Sequence, residues 1–161
     1  MLSIILAMSR VENTRYLAAL CLLALLAGCA STAGPPSEKD RCPVCGMSVA
    51  AYENWIASVV FHDGQEVFFD GPKDLFRFLH DPGKYGRAAD GIAEIRVTDY
   101  YTTRPIEAHD AVFVAGSDVM GPMGHELVAL RSRNEAESFV KDHGGNAILE
   151  FDEVTEEQIP K

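Results

Sequence analysis

The chain has 161 residues, with 24 acidic side chains against 14 basic ones and a formal net charge of −10. That balance leaves no electrostatic footprint for nucleic acid. It also opposes adsorption to anionic lipid headgroups, so charge does not hold this chain on a membrane.

The N-terminal elements read as a targeting signal. Arg10 and Arg15 precede an apolar run from Tyr16 to Ala27. That run falls short of the roughly 20 apolar residues a membrane-spanning helix needs. It ends in Leu26-Ala27-Gly28-Cys29, which resembles the bacterial lipobox. Residues 1–28 are therefore expected to be a cleaved lipoprotein signal, with lipid on Cys29 as the anchor. Met8 serves as well as Met1 for the start, since residues 1–7 add nothing the signal needs. The signal carries Arg10, Arg15 and Glu12, so the remainder is one charge more negative than the whole. Residues 29–41 are small, polar and proline-rich, and read as a flexible tether.

The body, residues 42–152, shows one coarse pattern twice. In the first copy Trp55–Phe61 reads as a strand, Asp63-Gly64 as a turn and Glu66–Phe69 as the returning strand. Pro72 marks a first helical position behind Asp70 or Gly71. Leu75, Phe76 and Leu79 have helical spacing, and Ile92–Val97 is a third strand. In the second copy Ala111–Ala115 is a strand, Gly116–Gly124 a Gly/Met-rich loop and Glu126–Leu130 the next strand. Ser132 and Glu135 sit at capping-box spacing ahead of an apolar stripe of Ala136, Phe139 and Val140. Ala147–Phe151 closes the copy. The expected fold is α+β: duplicated β-β-α-β units, mainly antiparallel sheet, with helices on one face. Residues 153–161 form an acidic tail expected to fray.

Two short segments carry the chemistry. Cys21 leaves with the signal and Cys29 is expected to carry lipid, so Cys42 and Cys45 are the remaining thiols. They lie in Cys42-Pro-Val-Cys-Gly-Met47. A Cys-x-x-Cys pair serves metal binding, thiol redox chemistry or a structural disulfide. Zinc needs further ligands at matched spacing, and none follows. Redox activity favours a thiol at a helix N-terminus, whereas Gly46–Ala51 is a poor amphipathic helix. Export leaves the disulfide open. The second segment is Met120-Gly-Pro-Met123-Gly-His125. Methionine is usually core filler, but these two stand among Gly and Pro with little to pack against. If the two segments meet, they offer two thiols, up to three thioethers and an imidazole. That set suits Cu(I), while zinc favours Cys and His. His62, His80, His109 and His143 sit at turns, at helix ends or beside a strand and read as structural. No nucleophile elbow, phosphate loop or carboxylate pair points to an enzyme.

Several segments together resemble the NosL family. They are the lipobox Cys29, Cys42–Met47, Phe68-Phe69-Asp70, Val97-Thr98-Asp99-Tyr100, Gly116–Gly124 and Gly144-Gly145. These are lipoprotein copper chaperones described as accessory to nitrous oxide reductase. The resemblance implies a monomeric duplicated domain that holds Cu(I) outside the cytoplasm. Its recipient would be apo nitrous oxide reductase or the membrane transporter of its assembly. It puts Cys45, Met47 and Met123 first as ligands, with Cys42, Met120 and His125 behind them. The alternatives are a periplasmic thiol–disulfide protein using Cys42 and Cys45, a general heavy-metal-binding lipoprotein, and a lipoprotein that only docks a partner.

Overall fold

The computed structural model describes residues 34–161. The signal segment and Cys29 lie outside the described residues.

The first unit starts with β1 (Ala57–Phe61), turns at Asp63-Gly64 and returns as β2 (Glu66–Phe69). Gly64 has φ 82°, a left-handed conformation that glycine adopts without a Cβ penalty. Helix α1 (Pro72–His80) follows, with Gly71 as N-cap and Pro72 at its first position. Proline suits that place because the N–H it lacks would have no intrahelical partner. Strand β3 (Ile92–Thr98) pairs antiparallel with β1, and β4 (Pro105–Glu107) extends the sheet beyond β3. The order is β2-β1-β3-β4.

The second unit repeats the plan. Strand β5 (Val112–Ala115) is central, with β8 (Val128–Leu130) on one side and β9 (Ala147–Glu150) on the other. All of its pairings are antiparallel. Helix α2 (Arg133–His143) separates β8 from β9, and the Ser132 side chain caps it by accepting from the Glu135 amide. In each unit the first strand is thus flanked by the second and by the strand after the helix. The expected duplicated β-β-α-β fold is the one observed.

The units differ where β1 turns tightly into β2. The matching connection in the second unit is an excursion containing a small hairpin, β6 (Met120–Gly121) with β7 (Gly124–His125). The sequence reading took this stretch for a plain loop, and it also missed β4. Both are very short, and β4 opens with a proline that sits at a sheet edge.

Alternation along β5 explains the layering. Phe113 and Ala115 face a core shared with Ala57, Val59, Phe69, Leu75, Phe78, Ile95 and Val97. Val112 and Val114 face the other way, against Ala136 and Phe139 of α2. The three-stranded sheet therefore lies between α2 and the main core. The two sheets are joined near Asp99, whose Oδ1 accepts from the Arg131 amide, while the Tyr100 amide donates to the Ala129 carbonyl.

Two expectations at the margins need correction. The tail does not fray: Val154 and Ile159 are buried, and Arg77 donates to the Pro160 carbonyl at 2.8 Å. The last residues assigned to the tether are paired as well. Arg41 bridges Ser48, and the Asp40 carbonyl accepts from the Val49 amide. No helix among the described residues is long and apolar enough to cross a membrane.

Candidate metal centre

Residues 42–47 form a closed turn ahead of β1. The Cys42 amide donates to the Met47 carbonyl at 2.9 Å and the Gly46 amide to the Cys42 carbonyl at 2.8 Å. Gly46 holds φ 80°, which a side chain would strain. The turn points both thiols at the start of α1. Cys42 Sγ donates to Asp74 Oδ2 at 3.3 Å, and Cys45 Sγ to Asp70 Oδ1 at 3.2 Å. Cys42 is buried and Cys45 half-buried, and both are free thiols. The disulfide left open by the sequence is not formed.

Burial governs the protons of this pair. It raises the Cys45 thiol to about 11 and moves Cys42 further in the same direction, with neighbouring carboxylates adding to both. A redox-active pair needs a thiol pKa lowered by a cation or a helix dipole. This site does the opposite, so metal ligation, which draws the proton off, is the better use of these thiols.

The hairpin is fastened to the same turn of α1. Lys73, itself buried, donates through Nζ to the carbonyls of Met123 (3.1 Å) and His125 (2.8 Å). The Lys73 amide donates to Glu126 Oε1 at 2.6 Å, and the same oxygen accepts from the Leu127 amide at 3.0 Å. Two glycines permit this approach. A Cβ on Gly71 would fall 2.5 Å from Glu126 Oε2, and one on Gly121 would fall 2.9 Å from Glu126 Cβ. Burial raises the Glu126 carboxyl to about 7, although Lys73 and the two amides pull the other way.

The thioethers on this hairpin are not core filler. Met120 is 53% and Met123 43% exposed. Met47 is half-buried and His125 exposed. Cys42, Cys45, Met123 and His125 all belong to segments bonded to residues 70–74. The sequence reading missed Asp74, Lys73 and Glu126, and it treated Asp70 as a possible helix cap and as part of the Phe68-Phe69-Asp70 segment, not as a site residue. The available signal was the pair Asp70 and Asp74, two carboxylates that bracket the Gly71-Pro72 start of the expected helix. The other histidines have structural partners: His80 with the Val154 carbonyl, His109 with Glu107 and His143 with Asp118. His62 is exposed beside its turn.

The family model for NosL matches residues 34–159, nearly everything the structure describes. The chain belongs to the NosL family. Among solved structures it is similar to the copper chaperone NosL from Shewanella denitrificans, with 27% identity and a TM-score of 0.68 over 80% of this chain and 98% of that one. It is also similar to apo-NosL from Achromobacter cycloclastes, with 26% identity and a TM-score of 0.47 over 64% of this chain and 87% of that one. No curated protein sequence matches. The family match reaches beyond the 42–152 body at both ends. It includes the packed tail and the last residues of the tether.

Proposed function

We propose that this NosL-family chain is a copper chaperone, not an enzyme, that carries Cu(I) outside the cytoplasm while held at a bacterial membrane by lipid on Cys29. The observation that carries the copper reading is the shared anchorage of two sulfur-bearing segments on residues 70–74, one through its thiols and one through Lys73. Thiolate and thioether together favour Cu(I) over zinc and over Cu²⁺, which takes more nitrogen and oxygen. The Shewanella relative is a copper chaperone. The acceptor we assign is apo nitrous oxide reductase or the transporter that serves its assembly, following the family's described role.

Cys45 and Met47 lead the ligand set, with Met123 from the hairpin. Cys42, Met120 and His125 stand behind them. Cu(I) binding replaces the Cys45 proton, and the displaced proton leaves to solvent. Met123 lies on a short exposed hairpin, so a thiol or thioether of an acceptor can replace it first. Copper then passes by stepwise ligand exchange, without ever being free.

Competition titration with a Cu(I) chelator tests this on reduced protein. One Cu(I) per chain is expected. A Cys45→Ala, Met47→Ala double variant should lose at least about 100-fold in affinity, or about 2.7 kcal/mol. Unchanged affinity in that variant would remove these residues from the site.

A further inference from the structure

The four-stranded sheet has one face in the main core, where Ala57, Val59, Phe69, Ile95 and Val97 are buried. Side chains alternate along a strand, so Ser58, Phe68 and Arg96 belong to the opposite face. The register sets Phe68, Ser58, Arg96 and Glu107 in one row across β2, β1, β3 and β4. Among the described residues neither helix packs there. Helix α1 buries Leu75, Phe76 and Phe78 in the main core, and α2 packs on the other sheet. A groove of about 390 Å³ opens over the row, with Gly34, Pro35 and Pro36 in its wall. It shares no residue with the 42–47 turn, with residues 70–74 or with the methionine hairpin. We propose that this groove docks a short basic segment of a protein partner, one that carries apolar side chains between its charges. The proposal does not rest on the copper reading.

Charge selects the sign of the partner. Glu53, Glu66, Glu94 and Glu107 line the groove, with Arg96 as its one cation. Arg96 is already committed. Its Nε and Nη2 donate to the Glu94 carboxylate, each at 2.5 Å, and its Nη1 lies 3.8 Å from Glu66. The surplus of carboxylates attracts a cationic segment and repels an acidic one. It also opposes a bilayer surface that carries anionic lipid.

The floor selects a peptide over a bare cation. Ile56, Phe68 and Ile106 are half-buried apolar side chains in the groove. Lysine and arginine stems cover apolar surface while their heads reach a polar rim, and a guanidinium can lie on the Phe68 ring. Ser58 adds a polar contact. It is 4% exposed and lines the groove, and its hydroxyl has no hydrogen-bond partner among the described residues. Thr98 beside it is satisfied, donating to the Ile56 carbonyl at 2.7 Å. Buried hydroxyls normally have a partner, and the backbone of a docked peptide supplies one.

The probe is an acetylated and amidated hexapeptide of alternating arginine and valine. It is titrated into isotope-labelled full-length protein and followed by amide NMR. Shifts are expected at residues 56–58, 66–68, 94–98 and 105–107, with little change at 42–47, 70–74 and 120–125. The titration is run in about 0.1 M salt, where charges more than about 10 Å apart are largely screened. Glu53→Lys with Glu107→Lys should weaken binding by about tenfold or more. Glu137→Lys with Asp142→Lys, on the exposed side of α2, changes the net charge equally and should cost about threefold at most. Ser58→Ala should weaken binding by about threefold to tenfold, and keeps the test decisive if the first double variant misfolds by circular dichroism. Spermidine, which cannot cover the floor, should bind at least about tenfold more weakly than the peptide. Shifts spread over the whole acidic surface, or equal losses in the two double variants, would reduce the effect to net charge and overturn the site. Spermidine binding as tight as the peptide's would overturn it too, by making the groove a small-cation site. Shifts with phosphatidylethanolamine vesicles and none with the peptide would assign the face to lipid and sink the proposal.

Discussion

Glu126 joins the hairpin to α1 and does so from a buried position. Its carboxyl is raised from 4.5 to about 7, chiefly by burial. In the unfolded chain the proton leaves near the ordinary carboxylate value, whereas the folded chain keeps it longer. Between those two values the folded state binds more protons, so stability falls as pH rises from about 4.5 to about 7. A Glu126→Gln variant has no such titration and keeps an acceptor for the Lys73 and Leu127 amides. Its urea-unfolding free energy is expected to be flatter than the parent's over that interval, with the parent losing the advantage as pH rises. A parent and variant with parallel pH profiles would show that Glu126 is not titrating there. The cysteines follow the same physics at higher pH. Both thiols stay protonated in the metal-free protein at neutral pH, so apparent Cu(I) affinity should rise by up to about tenfold per pH unit for each thiol proton released.

At the scale of elements, the site depends on how one helix start receives two loops. Lys73 makes two charged hydrogen bonds to the hairpin, each of a kind contributing about 1.5–3 kcal/mol. Lys73→Met keeps the length and apolar stem of the side chain and removes both bonds. Hydrogen exchange of the amides at 120–125 should then speed up by about tenfold or more, since about 1.4 kcal/mol corresponds to a factor of ten. The sheet strands should keep their protection, and Cu(I) affinity should fall while the thiols remain reactive. Unchanged exchange in the hairpin would mean that Lys73 does not hold it.

Local signals explain why most elements were legible in the sequence. Strand β2 was read with its observed ends because Glu66–Phe69 lies between an Asp-Gly turn and a proline-started helix. Helix α2 was announced by Ser132 and Glu135, and the expected cap bond is present. The strand read as Glu126–Leu130 begins two residues later, at Val128, because Glu126 turns inward to the amide of Lys73. That contact joins residues 53 positions apart. It follows no periodicity, and so the sequence could not disclose it. The same is true of Asp74, which reads as a helix-start acid until Cys42 is set beside it.

For the whole molecule, duplication sets up the division of labour. Both units place their first strand at the centre of a sheet and share a core through β5. The first unit closes its hairpin with a tight turn and supplies the helix start. The second opens the equivalent turn into the methionine hairpin. The thiols precede the first unit and the exposed thioethers interrupt the second, and both reach residues 70–74. The tail and the end of the tether pack onto this body, where Arg77 links the chain's end to Asp74. The central claim is that one Cu(I) is held by sulfur from both segments. Copper K-edge X-ray absorption on the Cu(I)-loaded reduced protein tests it directly, with Met123→Leu beside the parent. The account predicts an all-sulfur first shell in the parent and the loss of one sulfur in the variant. A first shell dominated by nitrogen or oxygen, or identical spectra for the two proteins, would contradict it.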